Sequence, residues 1–220
     1  MYSNAAASSD LADSATTEVD RPRSPFTPAR LRWLFLVLVG FVSVLPATYV
    51  FSRAAEATAN VVYWDEFDTA LALVLRLQDG VTPGTLISEL FALNNEHRMV
   101  TSRLLFATLF ALTGTVNFSV ISFIGNATLI GLIVLLIATA GTTLRRLQLG
   151  AFLGLLLFQL QHYENFLWSG SSIDHFQVVL LAAIAMVALA RGTRRGVVVG
   201  GLFAALATFT LAHGLITWAS

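Results

Sequence analysis

Apolar positions in this chain come in long runs, and polar residues gather between them. The first 31 residues have no apolar periodicity. They are rich in Ala, Ser, Thr and Asp, with Pro22, Pro25 and Pro28 near the end, and read as a disordered tail. Trp33 to Ser52 then forms an unbroken run of twenty residues. As a helix that is roughly 30 Å, the thickness of a bilayer's hydrocarbon core. Comparable runs cover Phe118–Ala140, about Leu144–Gln161, about Ile173–Ala190 and Val197–Trp218. Residues 32–220 are therefore expected to be an all-α, polytopic transmembrane helix bundle of about five spanning helices. The last run reaches nearly to Ser220, which reads as a domain incomplete at its C-terminus.

The stretch between the first two runs, about 53–117, has a different texture. Asp68 to Gln78 carries Leu71, Leu73, Val74, Leu75 and Leu77, and reads as a short amphipathic helix. Asp79-Gly80 and Pro83-Gly84 are turn signals. A second helix is expected from near Thr85, with Leu86, Leu90 and Leu93. Thr101 to Leu112 is apolar but only a dozen residues long. It reads as a juxtamembrane or half-inserted helix rather than a crossing.

Charge turns this pattern into a topology. Of the 220 residues 56% are hydrophobic and 12% charged, whereas a soluble domain carries about 25% charged residues. Mean hydropathy is +0.74. Arg21, Arg23, Arg30 and Arg32 precede the first run, which places the N-terminus in the cytoplasm. Arg145-Arg146 and Arg191, Arg194 and Arg195 belong on the same side. An odd number of crossings must then separate the first span from Arg145, so Phe118–Ala140 crosses and Thr101–Leu112 does not. Beyond the tail, every acid from Glu56 to Asp174 falls outside, as do His97, His162, His175 and His213. The long tail and the later spans argue against a cleaved signal peptide. The chain contains no cysteine, and all 13 basic residues are arginine, balanced by 13 acids. Disulfides and thiolate metal sites are thereby excluded, and nothing points to nucleic acid.

Three polar clusters stand on that outer side. Asp65, Glu66 and Asp68 crowd together after Tyr63-Trp64. On an α-helix Asp65 and Asp68 share a face while Glu66 turns away. Two like charges that close would raise a carboxyl's proton affinity and make a usable base; a solvated loop is the plainer reading. Glu96, His97 and Arg98 are adjacent, with Arg103 nearly on the Glu96 face. They could form a structural ion pair, or supply arginine and histidine donors to a phosphate. A divalent ion on Asp65, Asp68 and Glu96 is a further option, since hard cations take oxygen ligands. No zinc-hydrolase motif is present. The third cluster is Glu164-Asn165 between the interfacial aromatics Tyr163 and Trp168. Asn126-Ala-Thr matches a glycosylation acceptor but falls inside a span.

Trp64-Asp65-Glu66-Phe67-Asp68 after a single span resembles the GT-C superfamily of polytopic glycosyltransferases. Asn95-Glu96-His97-Arg98 with Arg103, Glu164-Asn165-Phe166-Leu167-Trp168 and His213-Gly214-Leu215 look like a bacterial membrane group of that type. The likeness runs from about Arg32 to Ser220. It implies a multi-pass protein of the bacterial plasma membrane, or the N-terminal part of one. Such a protein would transfer a sugar from a polyprenyl-phosphate carrier at the outer face. Asp65 would be the general base, with Glu66 and Asp68 beside it. His97, Arg98, Arg103, Glu96, Glu164 and Asn165 would hold substrate and phosphate, with no cofactor required. The superfamily usually has eight or more spans, against five here. The rival class is a non-catalytic multi-pass protein, such as a transporter fragment or an assembly subunit.

Overall fold

The computed structural model describes residues 28–95 and 97–219. Regular structure among them is helical throughout. In chain order the helices are α1 (Pro28–Ala57), α2 (Ala72–Asp79), α3 (Pro83–Leu90), α4 (Val100–Thr113) and α5 (Phe118–Thr139). They continue with α6 (Thr143–Leu157), α7 (Tyr163–Leu167), α8 (Ser169–Leu189) and α9 (Arg194–Thr210). Their starts follow local chemistry. Thr82, Asn117, Thr142 and Thr193 each accept a hydrogen bond from a backbone N–H of the following first turn, which satisfies a donor that has no partner inside the helix. Gly114 closes α4 at φ 71°, a left-handed conformation that glycine adopts without a Cβ penalty.

Three helices are long and apolar enough to cross a membrane: Arg30–Ala57, Phe118–Thr139 and Ser169–Leu189. Their surfaces agree with that. Trp33, Phe35, Leu38, Phe41 and Leu45 of α1 are all exposed, an apolar face that water would not tolerate and acyl chains would cover. The runs expected to cross near α6 and α9 form helices of 15 and 17 residues. The last run breaks at Leu211, which is extended (φ −152°, ψ 150°). Residues 212–219 then fold back on α9, and the Trp218 indole donates to the Thr208 hydroxyl at 2.9 Å. Gly214 makes the return possible, because a side chain there would overlap the Ala207 backbone.

Packing sets which ends meet. α1 and α6 lie side by side, with α6 approaching Ser43 so closely that a Cβ on Gly154 would sit 2.6 Å from the Ser43 carbonyl. α8 and α9 form a hairpin whose turn carries Arg191 and Arg194. Val50, Leu129, Leu132, Phe158, Phe166 and Phe176 make the central core, and Ala70, Phe106, Phe118, Ile121 and Ile173 a second one under the loop helices. The Asn60 side chain accepts from the Phe118 backbone at 2.8 Å, which joins the end of α1 to the start of α5. The ends of α1, α6 and α9 thus meet the starts of α5 and α8. The exposed Arg145, Arg146, Arg191, Arg194 and Arg195 stand at the opposite end, about a helix length away.

A polar stripe on α5 anchors the α7–α8 junction. The Ser122 hydroxyl and the Asn126 amide both donate to the Phe166 carbonyl, at 2.7 and 2.9 Å. Asn126 is fully buried, so its acceptor pattern is a packing residue. Between them Gly125 touches α8 directly: a Cβ would lie 2.6 Å from the Ser172 backbone carbon. Gly125→Ala is therefore expected to destabilise the fold by about 1–3 kcal/mol, the usual cost of overpacking. Gly141→Ala, with open space around it, is the control. Equal thermal melts of the two variants in detergent would contradict this account of the junction.

Candidate functional site

The acidic run does not form one helical face. Trp64 adopts φ 47°, one 3-10 turn covers Trp64–Glu66, and a π-turn covers Phe67–Leu71 before α2 begins. That change of pitch separates the three acids. Asp65 and Asp68 are exposed, whereas Glu66 points inward and is 2% exposed. Its Oε2 accepts from the Tyr63 backbone N–H at 2.9 Å, and its Oε1 from the Gly170 N–H at 2.7 Å and from the Ser169 hydroxyl. Burial pushes the Glu66 carboxyl above its ordinary value, against the pull of those hydrogen bonds. Glu66 is thus a pin between the outer loop and the start of α8.

The second cluster is a tight turn. Asn94 and His97 exchange backbone hydrogen bonds at 2.8 and 3.0 Å, and Asn95 sits at φ 51°. Glu96 lies outside the described residues. Arg98 is exposed and donates to the Phe91 carbonyl at 2.7 Å. Arg103 is buried, and its guanidinium donates to the Ala92 carbonyl, to the Arg98 carbonyl at 2.9 Å and to the Leu90 carbonyl at 3.5 Å. Both arginines, expected at a phosphate, are occupied by backbone carbonyls: Arg98 closes the loop on Phe91, and Arg103 ties the loop to α4. His97 is placed otherwise. Its Nδ1 accepts from the Ala212 N–H at 3.3 Å, and its ring lies 6.4 Å from that of His213.

In the third cluster Glu164 is exposed and accepts from the Tyr163 hydroxyl at 3.0 Å, which raises the phenol above its ordinary value. The Asn165 side chain accepts from the Ser171 hydroxyl at 2.6 Å.

These pieces enclose two adjoining cavities. The first, of about 310 Å³, is lined among others by Asp65, Glu66, Asn95, His97, Asp174 and His213. The second, of about 300 Å³, is lined by Tyr63, Glu66, Tyr163, Glu164, Leu167 and Trp168, with Ala59 and Val61. Glu66 and Trp168 form the wall between them, and the Trp168 ring packs edge-on against Tyr63 and Trp64 at 5.6 and 6.1 Å. Each volume is at the small end of ligand sites. Asp65 and His97 thus share the first cavity, and Glu164 faces the second. Asp68, Arg98 and Arg103 line neither.

Backbone strain marks the same place. Trp64, Asn95 and Met99 are the non-glycine residues with positive φ among the described residues. Asn95 and Met99 line the first cavity, and Trp64 precedes Asp65. Such conformations cost of order 1–3 kcal/mol each and concentrate at functional sites. The two π-turns, Phe67–Leu71 and Ser172–Phe176, contribute lining residues, Thr69 from the first and Asp174 and His175 from the second; π-turns are likewise frequent at such sites.

Sequence reasoning did not single out Asp174, Ser169 or Gly170. Asp174 counted there as one more outer acid, yet it is 2% exposed and faces the cavity. Its signal was present: an acid close behind Ser169-Gly170-Ser171-Ser172, at the mouth of an apolar run. Among the described residues no three His, Asp or Glu side chains are grouped to hold a metal ion. The chain matches no protein-family model, no curated protein and no solved structure.

Proposed function

We propose that this chain is a GT-C-like glycosyltransferase, or the N-terminal part of one. It takes a sugar from a polyprenyl-phosphate carrier at the outer face of a bacterial plasma membrane. The observation that carries the reading is the first cavity. Residues from the acidic run, from the stretch around His97 and from the start of α8 converge there, at the end of the bundle away from the arginine turns. In this reading Asp65 takes the proton of the acceptor hydroxyl as its oxygen attacks the sugar's anomeric carbon. The bond to the carrier phosphate breaks, and imidazole donors such as His97 stabilise the leaving phosphate. A path for the lipid supports it. An apolar groove of about 150 Å³ between α1 and α7 is lined by Val50, Ala54, Leu160 and Phe166, and it shares Tyr163 and Leu167 with the second cavity. The isoprenoid would lie there, leaving the sugar beside Trp168.

The reading needs five crossings, with α6 and α9 crossing as helices of 15 and 17 residues. Gly141 and Gly192 then lie in the cytoplasm and Asp65 outside. Cysteines placed at Gly141 and Gly192 are expected to resist a membrane-impermeant reagent in intact cells, while one at Asn60 reacts. Labelling of Gly141→Cys from outside would break the parity of crossings and the reading with it. The transfer assay described in the Discussion tests the chemistry.

A further inference from the structure

We propose that the ligand of the first cavity is an amino sugar, and that Asp174 binds its protonated amine. This deepens the glycosyl-transfer reading above, because it names the class of sugar that the same cavity holds. Asp174 is 2% exposed and lines the cavity. The Ser102 hydroxyl reaches the Asp174 carboxyl and the Arg103 guanidinium acts on it by charge, while Ser102 also donates to the Met99 carbonyl and Arg103 to the Leu90, Ala92 and Arg98 carbonyls. The Asp174 Oδ1 has no hydrogen-bond partner. A buried acceptor in that state carries a desolvation penalty until a donor arrives.

The remaining wall says which donor fits. Asp65, Glu66 and Asp174 line the cavity together with His97, His175 and His213, and neither arginine nor lysine does. Both Glu66 oxygens already accept hydrogen bonds, so of the two buried acids Asp174 is the one left open to a ligand. A cation suits such a wall, and an ammonium brought against a carboxyl favours its charged form. A metal ion needs several converging ligands at fixed distances, and the described residues provide no such group. An ammonium carries three donors and no acceptor, and can use Asp174 with separate acceptors on Asn94, Asn95 and Ser171. The opposite need is present too. The Trp168 indole N–H acts on the Glu66 carboxyl from close by without completing a well-formed hydrogen bond to it, so a ligand oxygen can take that donor. A sugar bearing both an amine and hydroxyl or ether oxygens answers the two open positions at once.

The test uses the full chain purified in detergent, with glucosamine, glucose and N-acetylglucosamine as probes in calorimetry and thermal melting, below the amine's pKa. A charge-assisted hydrogen bond exceeds a neutral one by enough to give about tenfold in affinity. Glucosamine is therefore expected to bind about tenfold tighter than the other two. Asp174→Asn, which keeps the shape and removes the charge, is expected to abolish that preference. Equal binding of the three sugars, or none, overturns the proposal without any variant. A preference that survives Asp174→Asn does so as well, as does equal stabilisation by calcium chloride alone. If a neutral sugar is transferred at a rate that Asp65→Asn abolishes while no amine preference exists, the glycosyl-transfer reading stands and this one falls.

Discussion

Asp65→Asn is expected to lower turnover by about 10²–10⁴-fold in a transfer assay with a polyprenyl-phosphate sugar, the usual contribution of a positioned base. Melting temperature stays at the wild-type value. Asp65 is exposed at the cavity and is not part of the buried network around Glu66, so the amide replaces it without disturbing packing. The amide keeps the shape but cannot take up the acceptor's proton. Asp68→Asn is the proper control, being an exposed acid three positions away that lines neither cavity. Near-normal turnover in Asp65→Asn would remove Asp65 from the chemistry. Equal losses in both variants would point to the charge of the loop rather than to one base.

Glu66→Ala is expected to cost several kcal/mol of stability. Three donors, the Tyr63 and Gly170 N–H groups and the Ser169 hydroxyl, lose their acceptor in a buried place, at about 1–3 kcal/mol for each one left unsatisfied. Glu66→Gln is milder, because its amide oxygen can still accept on one side while its NH₂ faces a donor on the other. The pH dependence separates the two forms of the acid. Burial raises the folded carboxyl above its ordinary value, so the folded chain holds that proton more tightly than the unfolded chain. Its contribution is complete below the ordinary carboxyl range and is lost as pH rises through the folded value. Glu66→Gln flattens that limb. Denaturant unfolding in detergent across pH measures both effects. An alanine variant as stable as wild type would mean that Glu66 does not join the loop to α8.

The sequence reveals the bundle because apolar runs of twenty or so residues are a strong signal. Phe118–Ala140 was expected and α5 covers Phe118–Thr139. A helix from near Thr85 was also expected, and α3 begins two residues earlier, at Pro83, which had read as part of a turn. Less was legible where a helix ends inside an apolar stretch. Hydropathy does not distinguish Leu211, an extended residue, from its helical neighbours, and only the close fit of Gly214 on Ala207 shows why the chain turns back. At the candidate site, the sequence turns Glu66 away from Asp65 and Asp68, in keeping with one buried and two exposed acids, but does not show which of them is buried. An i, i+3 argument presumes a regular α-helix, and the 3-10 and π turns around Glu66 break that assumption. Arginine reads as a phosphate ligand from sequence alone. Arg103 instead serves the backbone carbonyls of Leu90, Ala92 and Arg98, a role visible only once the loop's path is known.

The Glu66 pin also has a consequence for biosynthesis. Its carboxylate and the Ser169 hydroxyl stand 103 positions apart in the chain. At about 5–20 residues per second of synthesis, the acidic loop emerges roughly 5–20 s before its partner exists. During that interval Tyr63, Trp64 and Glu66 have nothing to close against, and α1 must hold the loop at the membrane alone. The cavity is therefore completed late, after α8 has closed on the loop and Leu211 and His213 have followed it.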